Sequence, residues 1–125
     1  TKAKTKTELI KNALSEIMQK QKIQSNDAIS KSQFGLDVDI TNNGDTIIVG
    51  AYIEDAIALD SGAAYIFTRA SGVWTEQTRI LSSDLEAGDE LGFAVSLNSL
   101  GTRAVVGARR EDTGGTDTGA VYIFE

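Results

Sequence analysis

The sequence predicts an all-β repeat fold behind a short N-terminal α-helix. Two observations carry this. The 35 residues from Phe34 to Thr68 return without a gap from Leu91 to Glu125, at a constant offset of 57 (91 − 34), with 14 identical positions. Within each copy, short apolar runs of strand length are bounded by glycine and by Asn, Asp or Ser, the pattern of buried or half-buried strands. A fixed period of this size marks a repeat whose single unit cannot bury its own apolar face and must stack on a neighbour.

Thr5 and Glu8 have capping-box spacing, and Ile10, Ala13, Leu14 and Ile17 follow at helical intervals, so a helix is expected from about residue 6 to 18. A helix that short is marginal alone, and its stripe needs a surface: its own repeats, a sister chain or another structural protein. In the first copy Gly35 to Ile40 alternates as a strand, and Asn43-Gly44-Asp45 signals a hairpin. Thr46 to Ala51 and Ala63 to Phe67 are almost continuously apolar, as strands covered on both faces are. Ser61-Gly62 and Ser71-Gly72 punctuate the unit, and Trp74 to Leu81 alternates with polar residues. Apolar inner strands followed by a polar last strand is the order of a propeller blade. The prediction is therefore two four-stranded, propeller-type blades. Gly50 and Gly107 fall inside strands, where glycine marks a bulge or a close backbone approach.

Phe34-Gly35, Val49-Gly50-Ala51, Val106-Gly107-Ala108 and the runs Gly62 to Phe67 and Gly119 to Phe124 resemble FG-GAP repeats. Such repeats are best known from the integrin alpha-subunit propeller and are abundant in bacterial and phage surface proteins. The resemblance covers Phe34 to Glu125. The proline of the motif is replaced by Tyr52 and Arg109, and the second copy opens on Leu91-Gly92. The integrin-type calcium cage needs a longer loop rich in Asp and Asn. Here the loops are Thr41 to Asp45 and Asn98 to Thr102, and leucine and threonine are poor calcium ligands, so no metal and no cofactor is expected.

The chain has neither cysteine nor histidine, which removes disulfides, thiolate metal sites and the usual general base. No apolar run reaches the length of a membrane span, and the N-terminal residues lack the apolar core of a signal peptide. Charge is segregated: residues 1–33 carry 7 − 3 = +4 and residues 34–125 carry 5 − 15 = −10. The acidic body argues against nucleic acid as a partner.

The second copy reaches Glu125 where the first turns into its polar strand, leaving Tyr122-Ile123-Phe124 beside an open edge. Shifted back by the period, that strand falls on residues 19–33, where Lys22 to Asp27 weakly echoes Arg79 to Asp84. The expected division is a basic helix or tether over 1–22, an outer strand plus first repeat over 23–90, and a second repeat over 91–125 without its own outer strand. Two blades cannot close a propeller of four to eight. Three chains would give six blades, so a homo-oligomer, with a trimer favoured, stands beside further repeats of the same chain and a self-contained two-blade sandwich. The assembly candidates are Ile10, Leu14, Ile17, Ile23, Tyr122 and Phe124.

Propeller geometry would gather Glu54, Asp55, Asp60, Glu111, Asp112 and Asp117, with Asp84, Glu86, Asp89 and Glu90, on one rim. Such acids attract a basic protein surface or a cation, or simply cap their own turns. No nucleophile–base pair, phosphate loop or nicotinamide fingerprint is present, so no enzyme is expected. The expected function is a structural or adhesion module at a virion or extracellular surface, such as a phage tail or fibre protein. The alternative is a carbohydrate-binding propeller lectin using Trp74, Tyr52, Arg109 and Arg110.

Overall fold

The computed structural model describes residues 5–17, 20–27 and 31–125, with side chains for all of these except 12–17. Helix α1 spans Lys6–Ile17. Its capping box forms: the Glu8 N–H donates to Thr5 Oγ1 at 3.1 Å, and the Thr5 N–H to the Glu8 carboxylate at 3.4 Å. Ile10 is about half exposed, so this part of the apolar stripe is not buried on the blades, and Leu9 beside it is equally open. The side chains of Leu14 and Ile17 lie outside the described residues.

Blade 1 is an antiparallel sheet of β1 (Val38–Ile40), β2 (Thr46–Ala51), β3 (Ala63–Ala70) and β4 (Val73–Ile80), in that order. Blade 2 has β5 (Leu91–Leu97), β6 (Ala104–Ala108) and β7 (Ala120–Phe124). The polar strand β4 is half-exposed, as an outermost strand should be. Strand β1 is shorter than expected. Gly35 takes φ 97°, which turns the chain, and its N–H reaches the Gly50 carbonyl at 3.0 Å.

Alternation divides each blade into two faces. Towards blade 2, blade 1 presents Ile48, Ala64, Ile66 and Ile80; blade 2 meets them with Leu91, Val95, Leu97 and Val106. A second cluster, around Val49, Tyr65 and Phe67, lies on the other face of blade 1 beneath Phe34, Ile23, Trp74 and Leu81. Glycine permits the closeness of the blades: a methyl group on Gly50 would collide with the Gly92 carbonyl.

Two carboxylates staple the junction. Asp37 Oδ2 accepts from the Val95 N–H at 2.8 Å, and Asp39 Oδ2 from the Leu97 N–H at 2.6 Å. The Leu97 and Ile40 N–H groups hold the Asp39 carboxyl below its ordinary range. A depressed folded value means this stabilisation is present above the unfolded pKa and is lost as pH falls through the folded one. Asp39→Ala should cost about 1 kcal/mol at neutral pH and almost nothing in acid, as urea midpoints would show.

Residues 20–27 join no sheet. They lie on blade 1 all the same, with Ile23 packed on the Tyr65 cluster as its equivalent Ile80 (23 + 57) packs in the cluster of blade 2. An outer strand needs an inner strand to pair with, and in blade 1 that edge of β3 is already taken by β4. Among the described residues the corresponding edge of β7 has no strand partner.

Candidate functional site

Equivalent residues in the two copies compare a covered position with an uncovered one. In blade 1, Ile48 and Ala64 are fully buried and Ile66 is half-buried. Their counterparts Val105, Val121 and Ile123 are 38%, 64% and 64% exposed. The opposite end of the stack shows the converse, with Val38 59% exposed where Val95 is 8%. Tyr122 and Phe124 turn inward and pack against the inter-blade cluster, so the outward apolar side chains of β7 are Val121 and Ile123. Beside them runs a groove of about 530 Å³, lined by Phe93, Ala94, Gly107, Arg109, Gly119 and Val121 among others.

The blades differ again in their polar clusters. Glu54 is 2% exposed and accepts from the Tyr65 hydroxyl at 2.6 Å and from Arg79 Nη1 at 3.2 Å. Arg79 also stands 3.9 Å from Asp27. Burial opposes its charge, but Tyr65, Asp27 and Glu54 outweigh that and raise its pKa. Burial, then the bond to Glu54, pushes the Tyr65 hydroxyl far above its usual value. In blade 2 the Tyr122 hydroxyl donates to Asp84 Oδ2 at 3.2 Å and is pushed up to about 12 by burial and by that carboxylate. The Ser82 hydroxyl also bonds Asp84 and holds its carboxyl below the ordinary range. Glu111, equivalent to Glu54, is buried and bonds the Thr113 N–H at 3.0 Å. No arginine from a fourth strand joins this cluster among the described residues.

Both tyrosines have folded values above the unfolded value near 10, so their contribution to stability is full below about pH 10 and is lost as pH rises through the folded values. Tyr65→Phe should cost about 1–2 kcal/mol at neutral pH, since buried Glu54 loses a donor, and should flatten the alkaline decline. Urea midpoints across alkaline pH test both halves.

Several acids expected on the rim are taken inward or used by their own loops. Glu54, Asp89 and Glu111 are buried, a correction to the rim expected from spacing, because each serves a neighbouring donor. Asp55 accepts from the Asp60 N–H at 2.8 Å, Asp112 from the Asp117 N–H, and Asp89 from the Glu86 N–H at 2.7 Å. Among the described residues no group of three or more acids is placed to hold a metal ion. Likewise, no described helix is long and apolar enough to cross a membrane.

Three of the proposed ligand-binding residues meet at the blade junction. Arg109 lies 4.1 Å over the Phe93 ring and 5.7 Å over Tyr52 and pairs with Glu90, which also lies 3.9 Å from Arg110. Trp74 stands elsewhere, half-buried on the Phe67 cluster beneath Arg69, beside a cleft of about 560 Å³. Phe93 was not singled out from sequence, and nothing in its spacing marks it; Glu90, expected only as a rim acid, is instead buried and holds Arg109. The Glu54–Tyr65–Arg79 cluster did leave a trace, since Glu and Tyr recur as Glu111 and Tyr122 while Arg79 matches Lys22.

A profile of the FG-GAP repeat matches residues 17–67 and 74–124. The matched segments are 57 apart (74 − 17): the first begins at the last residue of α1 and ends within β3, and the second begins within β4 and ends at the last residue of β7. No curated protein matches the chain. Two stacked antiparallel sheets, glycines recurring at equivalent positions and a profile spanning most of the residues agree: the chain belongs to the FG-GAP repeat family.

Proposed function

We propose that this chain is a non-enzymatic structural and adhesive module that works inside a larger surface assembly, such as a virion tail or fibre. One observation carries the reading: Val121 and Ile123 stand exposed at positions whose blade 1 equivalents are covered. Apolar strands of this kind beside an unpaired edge are an aggregation hazard unless other polypeptide covers them. The carboxylates serve turns and ion pairs, which favours recognition over catalysis. Leu9 and Ile10 on α1 offer a second contact surface, for other structural proteins.

Native mass spectrometry tests this. The expected result is a particle heavier than one 13.3 kDa chain. A lone, folded, stable chain at every concentration would overturn the reading. A lectin role draws on Trp74 at its cleft; glycan-array binding that disappears in Trp74→Ala would favour it.

A further inference from the structure

We propose that a second copy of this chain covers the open face of blade 2, repeating between chains the junction that blade 1 makes with blade 2. The inference rests on the assembly reading above and names its partner.

Within the chain, the junction is a strip of backbone bonds. The N–H groups of Gly88, Glu90 and Leu91 donate to the carbonyls of Leu59, Asp60 and Ser61 at 2.8, 3.1 and 2.9 Å. Lys31, Gln33 and Phe34 are the equivalents 57 residues earlier. Their stretch keeps the same unusual backbone: φ is 68° at Lys31, 52° at Gln33 and 97° at Gly35, against 84°, 59° and 92° at Gly88, Glu90 and Gly92. Left-handed φ is uncommon for lysine and glutamine. Yet the N–H groups of Lys31, Gln33 and Phe34 reach no backbone carbonyl among the described residues. The matching acceptors, the carbonyls of Thr116, Asp117 and Thr118, border the open face of blade 2 and receive no such donor among the described residues.

The steric evidence agrees. Gly50 is required because Gly92 presses on it, whereas a methyl group on Gly107 would meet nothing nearer than Ala94 Cβ at 3.6 Å. Gly35, the equivalent of Gly92, also has no neighbour where a methyl group would project. Each is one half of a contact seen complete at Gly50 and Gly92.

Charge supplies the third argument. In blade 1, β4 pairs with β3 so that Arg79 lies opposite Tyr65 and Thr78 opposite Ile66. Shifted by the period, the second copy's Lys22 lies opposite Tyr122 and its Gln21 opposite Ile123, exchanging the 3.2 Å bond that Gln21 Nε2 donates to the Gly72 carbonyl within a single chain. Lys22 then enters the Asp84–Glu111–Tyr122 cluster where blade 1 has Arg79. The basic segment of one copy (+4) meets the acidic body of the next (−10). The contact is head-to-tail, so it yields a ring when the rotation closes.

Exposed substitutions test this without touching the core. Val38→Lys spoils one face and Ile123→Lys the other. Wild type should form a multiple of the 13.3 kDa chain. Each variant alone should be a folded monomer, and an equimolar mixture should give a 1:1 dimer, which a misfolded variant cannot produce. In this cysteine-free chain, Gln21→Cys with Ile123→Cys should oxidise to disulfides between chains. Assembly that ignores both lysines and forms no such disulfide overturns this junction and leaves the assembly reading intact. A monomer with an internal disulfide between positions 21 and 123 overturns the junction in favour of self-closure. A folded wild-type monomer, together with no disulfide between chains in the double-cysteine variant, overturns both proposals.

Discussion

Gly50→Ala should destabilise the fold by about 3 kcal/mol, whereas Gly107→Ala should leave it within about 1 kcal/mol of wild type. The two glycines occupy the same position in the same strand of the repeat. The methyl group at position 50 would strike the Gly92 carbonyl, which belongs to backbone held by its own strand and has no rotamer by which to retreat. The blades would have to separate, loosening the shared cluster of Ile48, Ala64, Leu91 and Val106. At position 107 the methyl group has ordinary contacts only, and a residue with less freedom in the unfolded chain gains slightly. Urea denaturation of the two variants measures this contrast. Equal effects would mean that blade stacking does not control stability. If a second copy docks as proposed, Gly107→Ala should leave the monomer folded and still weaken assembly, which separates the two roles.

Arg79→Ala should cost about 2 kcal/mol, with Arg79→Lys recovering part of it. Glu54 is withdrawn from water and its carboxylate faces Tyr65 and Arg79; removing the guanidinium leaves one donor for a buried charge. The figure sits below the usual cost of breaking a buried pair because the Arg79 side chain is 31% exposed, so water replaces part of what is lost. The corresponding change at Glu111 should matter less to the single chain, since Glu111 is bonded locally by Thr113. Chemical denaturation of Arg79→Ala, Arg79→Lys and Glu111→Gln would settle the order. A loss under about 0.5 kcal/mol for Arg79→Ala would show that solvent already screens the pair.

Much of this architecture was legible from residue order. The capping box at Thr5 and Glu8, the half-exposed outer strand over Val73 to Ile80 and the 57-residue phase all depend on neighbours near in sequence. What sequence missed has a common cause. In Ala120 to Phe124 both parities are apolar, so alternation could not say that Tyr122 turns inward and Ile123 outward. Gly35 to Ile40 alternates like a strand, but only Val38–Ile40 forms one, because Gly35 turns the chain to bring Phe34 over Tyr65 at 5.5 Å between ring centroids. Glu54 reads as a loop acid beside Asp55 until Arg79, 25 residues away, is seen to reach it.

Strand positions, repeat length and the need for a neighbour were set by composition and spacing, because each follows from burying a periodic apolar stripe. Which face is covered, which carboxylate is buried and which glycine is crowded depended on one blade meeting the next. Those are contacts between residues far apart in the chain, and identical motifs receive different surroundings at its two ends.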